Sequence, residues 1–311
     1  MTEVDISLEK RHETVLDKVG NTPLLEISHA TQGYVHPGVE VLAKAEWYNP
    51  GGSVKARAAS NMIRQGEKSG ALSRNKIIID ASSGNTGIAY SIFGALLGYR
   101  VQLAVPANVS SERKQVLKLF GAEVMYTDPL EGTDGAQQYV RKLVSENPDK
   151  YFYPDQYNNP ANWQAHYDTT ALEIYEQTRG KITHFVAGLG TTGTFVGTSR
   201  RLKELNTSIK CISFIPDSPM HGLEGLKHLP TTIVPGIYDR KLADENLEVS
   251  TEDAHAMVRH IARTEGLLVG PSSAAALVAC ICVAKPLAEG VIVTVFCDDV
   301  MKYLSERFWE E

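Results

Sequence analysis

Lys55 has the least ordinary setting of any titratable residue in this chain. In the stretch Asn-Pro-Gly-Gly-Ser-Val-Lys-Ala-Arg, residues 49–57, it follows two glycines and falls at the predicted first turn of a helix. A helix N-terminus already carries positive partial charge and disfavours a cation there. The same field, together with desolvation, favours the neutral amine, and a neutral amine can form a Schiff base with an aldehyde. The alternative is a solvated surface lysine, which is the fate of most lysines.

Three loops, each between a predicted strand and a predicted helix, bear on that choice. Gly188–Thr194, Gly-Leu-Gly-Thr-Thr-Gly-Thr, offers backbone N–H groups and three hydroxyls. It could hold a phosphate at a helix N-terminus without a basic residue. It also fits G-x-G-x-x-G, with Asp217 at the distance of a ribose-binding acid, so dinucleotide binding competes. Ser82–Gly87, Ser-Ser-Gly-Asn-Thr-Gly, suits a carboxylate or phosphate, or is an ordinary capped turn. Gly270–Ala276 carries Ser272 and Ser273, either of which could simply cap the following helix. An aldehyde cofactor with a phosphate tail and a pyridine ring, pyridoxal phosphate, would use the lysine and the neutral cup together.

The elements that must position these loops follow from the pattern. From about Lys76, apolar runs alternate with amphipathic ones: Ile-Ile-Ile-Asp into the helix after Asn85, Val101–Pro106 into a helix from Ser110, Glu123–Thr127 into a helix near Gly135. Such alternation calls for a parallel sheet covered by helices. Pro154 and the asparagines that follow mark a junction. A second series begins at Thr183 and ends in the strand Val291–Phe296, with a short strand expected at Leu267–Gly270. The chain therefore reads as α/β, with two domains that each hold a mostly parallel sheet flanked by helices. The smaller is expected over 47–153 and the larger over 1–46 and 154–311. The connection Asp217–Tyr238, with three glycines, is expected to be a lid.

Composition bounds the function. With 311 residues, two domains are the ordinary expectation. A net charge of −6 argues against a general nucleic-acid binder. The first twenty residues are charged throughout and lack the apolar core of a secretory signal. The longest uncharged run, Leu267–Ala284, is broken by Gly-Pro-Ser-Ser and does not suit a membrane span. Cys211, Cys280, Cys282 and Cys297 read as buried, reduced thiols of a cytoplasmic protein, and no metal site is expected.

Six motifs, Gly20–Leu24, Asn49–Arg57, Ser82–Ala89, Tyr153–Asn162, Gly188–Thr194 and Gly270–Ala276, occur in the order and spacing of the cysteine synthase family. The resemblance covers nearly the whole chain. It implies a pyridoxal-phosphate enzyme of the tryptophan-synthase-β-like fold (fold type II), with the cofactor in the cleft between the domains. By position, Lys55 matches the Schiff-base lysine and Asn85 the asparagine that bonds the cofactor's 3′ oxygen. Gly190, Thr191, Thr192, Gly193 and Thr194 match the phosphate cup, and Ser272 the serine facing the pyridine nitrogen. Ser83, Asn85, Thr86 and Gln156 match the pocket for the amino-acid carboxylate. Common relatives read Gly-Gly at Thr192-Gly193, Ile-Ser-Ser-Gly at 271–274, and Asp or Cys at Ala56. None of these departures removes a reacting group.

The resemblance implies β-replacement on O-acetylserine or O-phosphoserine by a sulfur nucleophile, through an aminoacrylate, to give L-cysteine. Lys227, in the expected lid, is the candidate to pair with a phosphate leaving group; a solvated turn lysine is the alternative. The sulfur source could be sulfide, thiosulfate or a carrier protein's thiocarboxylate. A homodimer is implied, with serine acetyltransferase or a sulfur-carrier protein as possible partners. Cystathionine β-synthase chemistry is the near alternative. A nicotinamide-dependent oxidoreductase would leave Lys55 idle, and a non-catalytic binding module would not need it.

Overall fold

The computed structural model describes residues 13–82, 84–107, 109–306 and 308. Two sheets organise the chain. The first has six strands in the order β1-β2-β10-β7-β8-β9, and the second has four in the order β5-β4-β3-β6. In chain order these are β1 (Leu24–Glu26), β2 (Gly38–Ala45), β3 (Ile77–Ala81), β4 (Val101–Pro106), β5 (Glu123–Thr127), β6 (Tyr151–Phe152), β7 (His184–Gly188), β8 (Lys210–Pro216), β9 (Glu245–Val249) and β10 (Glu289–Phe296). Every pairing is parallel except β1 with β2.

The helices are α1 (Lys55–Ser69), α2 (Asn85–Leu97), α3 (Ser111–Leu119), α4 (Gly132–Glu146), α5 (Pro160–Ala165), α6 (Ala171–Gln177), α7 (Gly193–Leu205), α8 (Thr251–Glu265) and α9 (Pro271–Ala284). A π-helical turn, His166–Thr170, joins α5 to α6. Strand β3 is buried along its whole length, which is why it opens on three consecutive isoleucines rather than alternating, with Asp80 its one polar residue. Helix α9 is buried on nearly all sides and reads Ala-rich for the same reason.

Strand order fixes where loops converge. From β3 the chain winds outward through β4 to β5, then returns so that β6 pairs with the other side of β3. From β7 it winds through β8 to β9, then returns so that β10 pairs with the other side of β7. Each sheet thus reverses direction once, and open α/β sheets bind ligands at the carboxyl ends of the strands flanking that reversal. The loops after β3 and β6 carry Ser82–Gly87 and Gln156. The loops after β7 and β10 carry Gly190–Thr194 and Asp298.

Two expectations need correction. Leu267–Gly270 is not a strand: Val269 makes a single bridge to Asp299 before the chain turns into α9 at Pro271. Cys282 is exposed and Cys297 only partly buried; Cys211 and Cys280 are the buried thiols. The 217–238 connection, the expected lid, contains a one-turn 3-10 helix, Leu229–Thr231.

Candidate active site

Lys55 is the first residue of α1, after the N-cap Val54, which gives the helix no side-chain cap. Gly51 and Gly52 have φ of +76° and +66°, values that L side chains rarely adopt. A Cβ on Gly51 would also lie 2.7 Å from Ile92 Cδ1. The tight turn is clamped by the segment after β10: Val54 N donates to Cys297 O (2.9 Å), Lys302 Nζ donates to Gly52 O (2.8 Å), and Ser53 bridges Asp298.

Below Lys55, Arg57 anchors the same helical turn. Its guanidinium is bidentate to Glu46 (2.8 Å for both bonds) and also bonds both oxygens of Glu173, at 2.6 and 2.7 Å. Lys44, fully buried, donates to Thr22 O (2.6 Å) and pairs with Glu173 at 2.7 Å. Burial pulls the Arg57 proton off, but the Glu46 and Glu173 carboxylates more than restore it, so Arg57 stays protonated above its ordinary range. Burial likewise opposes ionisation of Glu173, yet Arg57 and Lys44 hold its carboxyl down at about 2.

The structure brings Lys55, Asn85, Gly190, Thr191, Thr192, Thr194 and Ser272 to the lining of one pocket. The turn Gly188–Thr192 runs into the N-terminus of α7, and Thr192 itself has φ +71°. A Cβ on Gly190 would stand 2.0 Å from Gly225 O, and one on Gly193 2.0 Å from Asn162 Oδ1. Thr194 Oγ1 lies 3.3 Å from His166 Nε2. Burial lowers His166 to about 3, with Arg57 adding to the effect, so the imidazole beside the loop is neutral. Two buried oxygens of this pocket, Thr192 Oγ1 and Asn85 Oδ1, have no partner. Buried polar atoms are normally satisfied, so a polar ligand fits here, and the loop–helix junction suits its phosphate.

The loop after β3 meets the loop after β6. Ser82 Oγ accepts from Gly87 N (2.9 Å) in the first turn of α2. Thr86 Oγ1 donates to Gln156 Oε1 (2.8 Å), and Gln156 Nε2 donates to Ala81 O (3.0 Å). Ser83 lies outside the described residues. Asp80, beneath this loop, is fully buried against Tyr90 OH (3.0 Å), and burial pushes its carboxyl up to about 7.

An open cleft of about 810 Å³ joins the pocket to solvent, lined by Lys55, Asn85, Thr86, Gln156 and Lys227 among others. Lys227, placed in the expected lid, is 8% exposed. Its Nζ is 2.8 Å from Asp134 Oδ1 and lies over the Tyr157 ring. Asp217, the acid a dinucleotide would need, is not among the described residues that line the pocket or the cleft.

Sequence reasoning missed several residues of the site. Asp298, fully buried, accepts from Asn85 Nδ2 (2.7 Å) and Tyr303 OH (2.8 Å) and so orients the Asn85 amide. Asn162 Nδ2 donates to Gln156 O (2.7 Å) and Thr191 Oγ1 (3.1 Å), tying the two loops together. Arg113 and Glu224 form an ion pair across the cleft. Asp298 stands just past the β10 end and Asn162 closes the Tyr153–Asn162 motif, so both had a signal in the sequence; the Arg113–Glu224 pair depends on the fold.

Two sheets with reversals at one shared cleft, an amine at a helix start and a neutral phosphate cup define a class of α/β enzyme that works on small molecules through a phosphorylated aldehyde. Residues 15–298 match the family described as pyridoxal-phosphate dependent enzyme, and the chain belongs to that family. It is 51% identical over 313 positions to the cysteine synthase of Aquifex aeolicus, covering 99% of this chain and 96% of that one. It is 39% identical to cysteine synthase B of Escherichia coli, with 96% of each covered. Among solved structures, cysteine synthase (OASS) of Entamoeba histolytica is similar at a TM-score of 0.91 and 35% identity, covering 100% of this chain and 95% of that one. An O-acetylserine dependent cystathionine beta-synthase of Helicobacter pylori is similar at a TM-score of 0.88 and 34% identity, covering 94% and 97%.

Proposed function

We propose that this protein is a cysteine synthase: it replaces the Oβ substituent of an activated serine with sulfur to give L-cysteine. The observation that supports this most is the convergence of Lys55, Asn85, the loop of Gly190, Thr191, Thr192 and Thr194, and Ser272 on one pocket. When bound, pyridoxal phosphate supplies an aldehyde carbon for the amine and a ring that disperses negative charge from the amino acid's Cα.

The chain's own residues do the rest. The loop 190–194, Gly193 included, holds the phosphate with backbone and hydroxyl donors. Asn85, its amide set by Asp298, would address the 3′ oxygen. The Ser272 hydroxyl, which lines the pocket, would face the ring nitrogen; being neutral, it would leave that nitrogen unprotonated and favour β-elimination over transamination. Ser83, Asn85, Thr86 and Gln156 orient the donor's carboxylate. Lys55 Nζ takes the Cα proton and later returns it. The Cβ–O bond breaks with loss of the leaving group, and a Cβ–S bond forms in its place. Lys227 lines the outer wall of the cleft, facing the donor. The 217–238 connection, which packs Gly225 on Gly190, limits water.

The same reading divides the chain into a smaller unit, 47–153, and a larger one, 1–46 with 154–311, and pairs two copies as a cytoplasmic homodimer. No helix among the described residues is long and apolar enough to cross a membrane.

Purified protein loaded with pyridoxal phosphate is expected to absorb in the visible and to change that band on addition of O-acetylserine or O-phosphoserine without sulfide. Adding sulfide should restore the band and release cysteine. Lys55→Ala is expected to abolish turnover. Protein that takes up no cofactor, or turns over normally without Lys55, would remove this reading.

A further inference from the structure

The cleft is lined, among the described residues, by three cations (Lys55, Arg113 and Lys227) and four carboxylates (Glu131, Asp134, Glu224 and Glu306). The cations other than Lys55 are already matched. Arg113 pairs with Glu224 and lies over the Tyr303 ring. Lys227 pairs with Asp134 at 2.8 Å, and the second oxygen of Asp134 accepts from Ile233 N at 2.9 Å. Asp134, in the first turn of α4, therefore grips the 217–238 connection at two points and holds the Lys227 ammonium between itself and Tyr157. Gly132, Thr133, Thr231 and Thr232 also line the cleft with groups that carry no charge, and Glu131, next to Gly132, adds a further carboxylate.

We propose that Asp134 selects the donor: by neutralising Lys227 it denies a phosphate leaving group its cation and favours a neutral ester, O-acetylserine over O-phosphoserine. The proposal rests on the cysteine synthase reading above. A phosphate monoester brings a charge of about −1.5 to −2 at neutral pH. To reach Lys227 it must either displace Asp134, leaving a carboxylate unpaired and the connection released at Ile233, or stand beside a like charge in a partly dry wall. An acetyl ester meets neither cost. Lys227 is thus a specificity residue only in combination with its acid partner, and the lysine by itself does not imply a phosphorylated donor.

The test is steady-state β-replacement by the holoenzyme with sulfide and each donor in turn. The wild-type protein is expected to show the higher kcat/KM with O-acetylserine; a preference for O-phosphoserine would overturn the proposal with no variant needed. Asp134→Asn keeps an oxygen for the Ile233 N–H and removes the charge. It is expected to raise the ratio of kcat/KM for O-phosphoserine over O-acetylserine about tenfold or more, the scale of one close charge contact. That gain should shrink with added salt and vanish in the double variant Asp134→Asn/Lys227→Ala. A ratio unchanged in Asp134→Asn, with both donors still turned over, would make the pair a structural latch and sink the proposal. Loss of all turnover with both donors in the wild-type protein would instead fall on the cysteine synthase reading itself.

Discussion

Thr192 shows how a single residue can carry cost and use together. Its φ of +71° is in the left-handed region, and its side chain is β-branched. That combination costs about 1–2 kcal/mol, and its buried hydroxyl has no partner to offset it. Thr192→Gly removes the strain and gives back about 0.5–1 kcal/mol through the freer unfolded chain. The apo-protein's unfolding midpoint should therefore hold or rise slightly. Affinity for pyridoxal phosphate should fall several-fold, because a donor to the phosphate is gone. If the apo-protein were clearly destabilised, the hydroxyl would be holding the fold and not a ligand. Backbone strain of this kind persists where the surroundings over-determine it, as binding loops do.

At the scale of elements, Lys55 is held in place by a helix whose first turn sits on buried charge. Arg57→Met leaves Glu46, fully buried, without its main partner. Breaking one side of such a pair costs about 3–5 kcal/mol. The same change should lower turnover, since α1 carries Lys55 two residues earlier. Glu46→Gln combined with Arg57→Met removes the orphaned charge and should recover part of the lost stability in a denaturant titration; no recovery would mean that packing and not charge dominates. The helices and strands that place these residues were largely legible. The β3-α2-β4-α3-β5 run reads directly from apolar stretches separated by glycine and serine turns. Strand β9, Glu-Asn-Leu-Glu-Val, did not show: it is an edge strand with only Val249 buried, so its pattern is polar. The two-residue β6 was too short to signal. At the site, loops with backbone roles were visible because glycine and hydroxyl residues cluster in sequence. Asp134 with Lys227, or Asp298 with Asn85, are pairs far apart in the chain that meet only through sheet order, which no local pattern encodes.

For the whole molecule, the buried titratable groups predict a stability profile in which opposite tendencies cancel. Asp80 is raised by burial to about 7, against roughly 3.9 when unfolded. Between those values the native state holds a proton the unfolded chain has lost, so stability falls as pH rises. His166 is lowered by burial to about 3, against roughly 6.5 when unfolded. Over its window the unfolded chain holds the extra proton, so stability rises with pH. The windows overlap from about pH 4 to about 6.5, each with a limiting slope near 1.4 kcal/mol per pH unit. At fixed cofactor occupancy, the contributions of Asp80 and His166 to the wild-type unfolding midpoint should therefore nearly cancel there. Asp80→Asn should expose the His166 slope and become more stable as pH rises, whereas His166→Gln should show the reverse. Below about pH 4.5 a third group takes over. Glu173, depressed to about 2 by Arg57 and Lys44 against burial, contributes stability that is complete above its unfolded value and lost as pH falls through the folded one. Flat profiles in both variants would mean that Asp80 and His166 titrate alike in the folded and unfolded chain. Asp80 lies under the Gln156 loop and His166 beside the phosphate cup, so two site-supporting groups that never touch balance each other's proton linkage through the stability of the one chain that carries both.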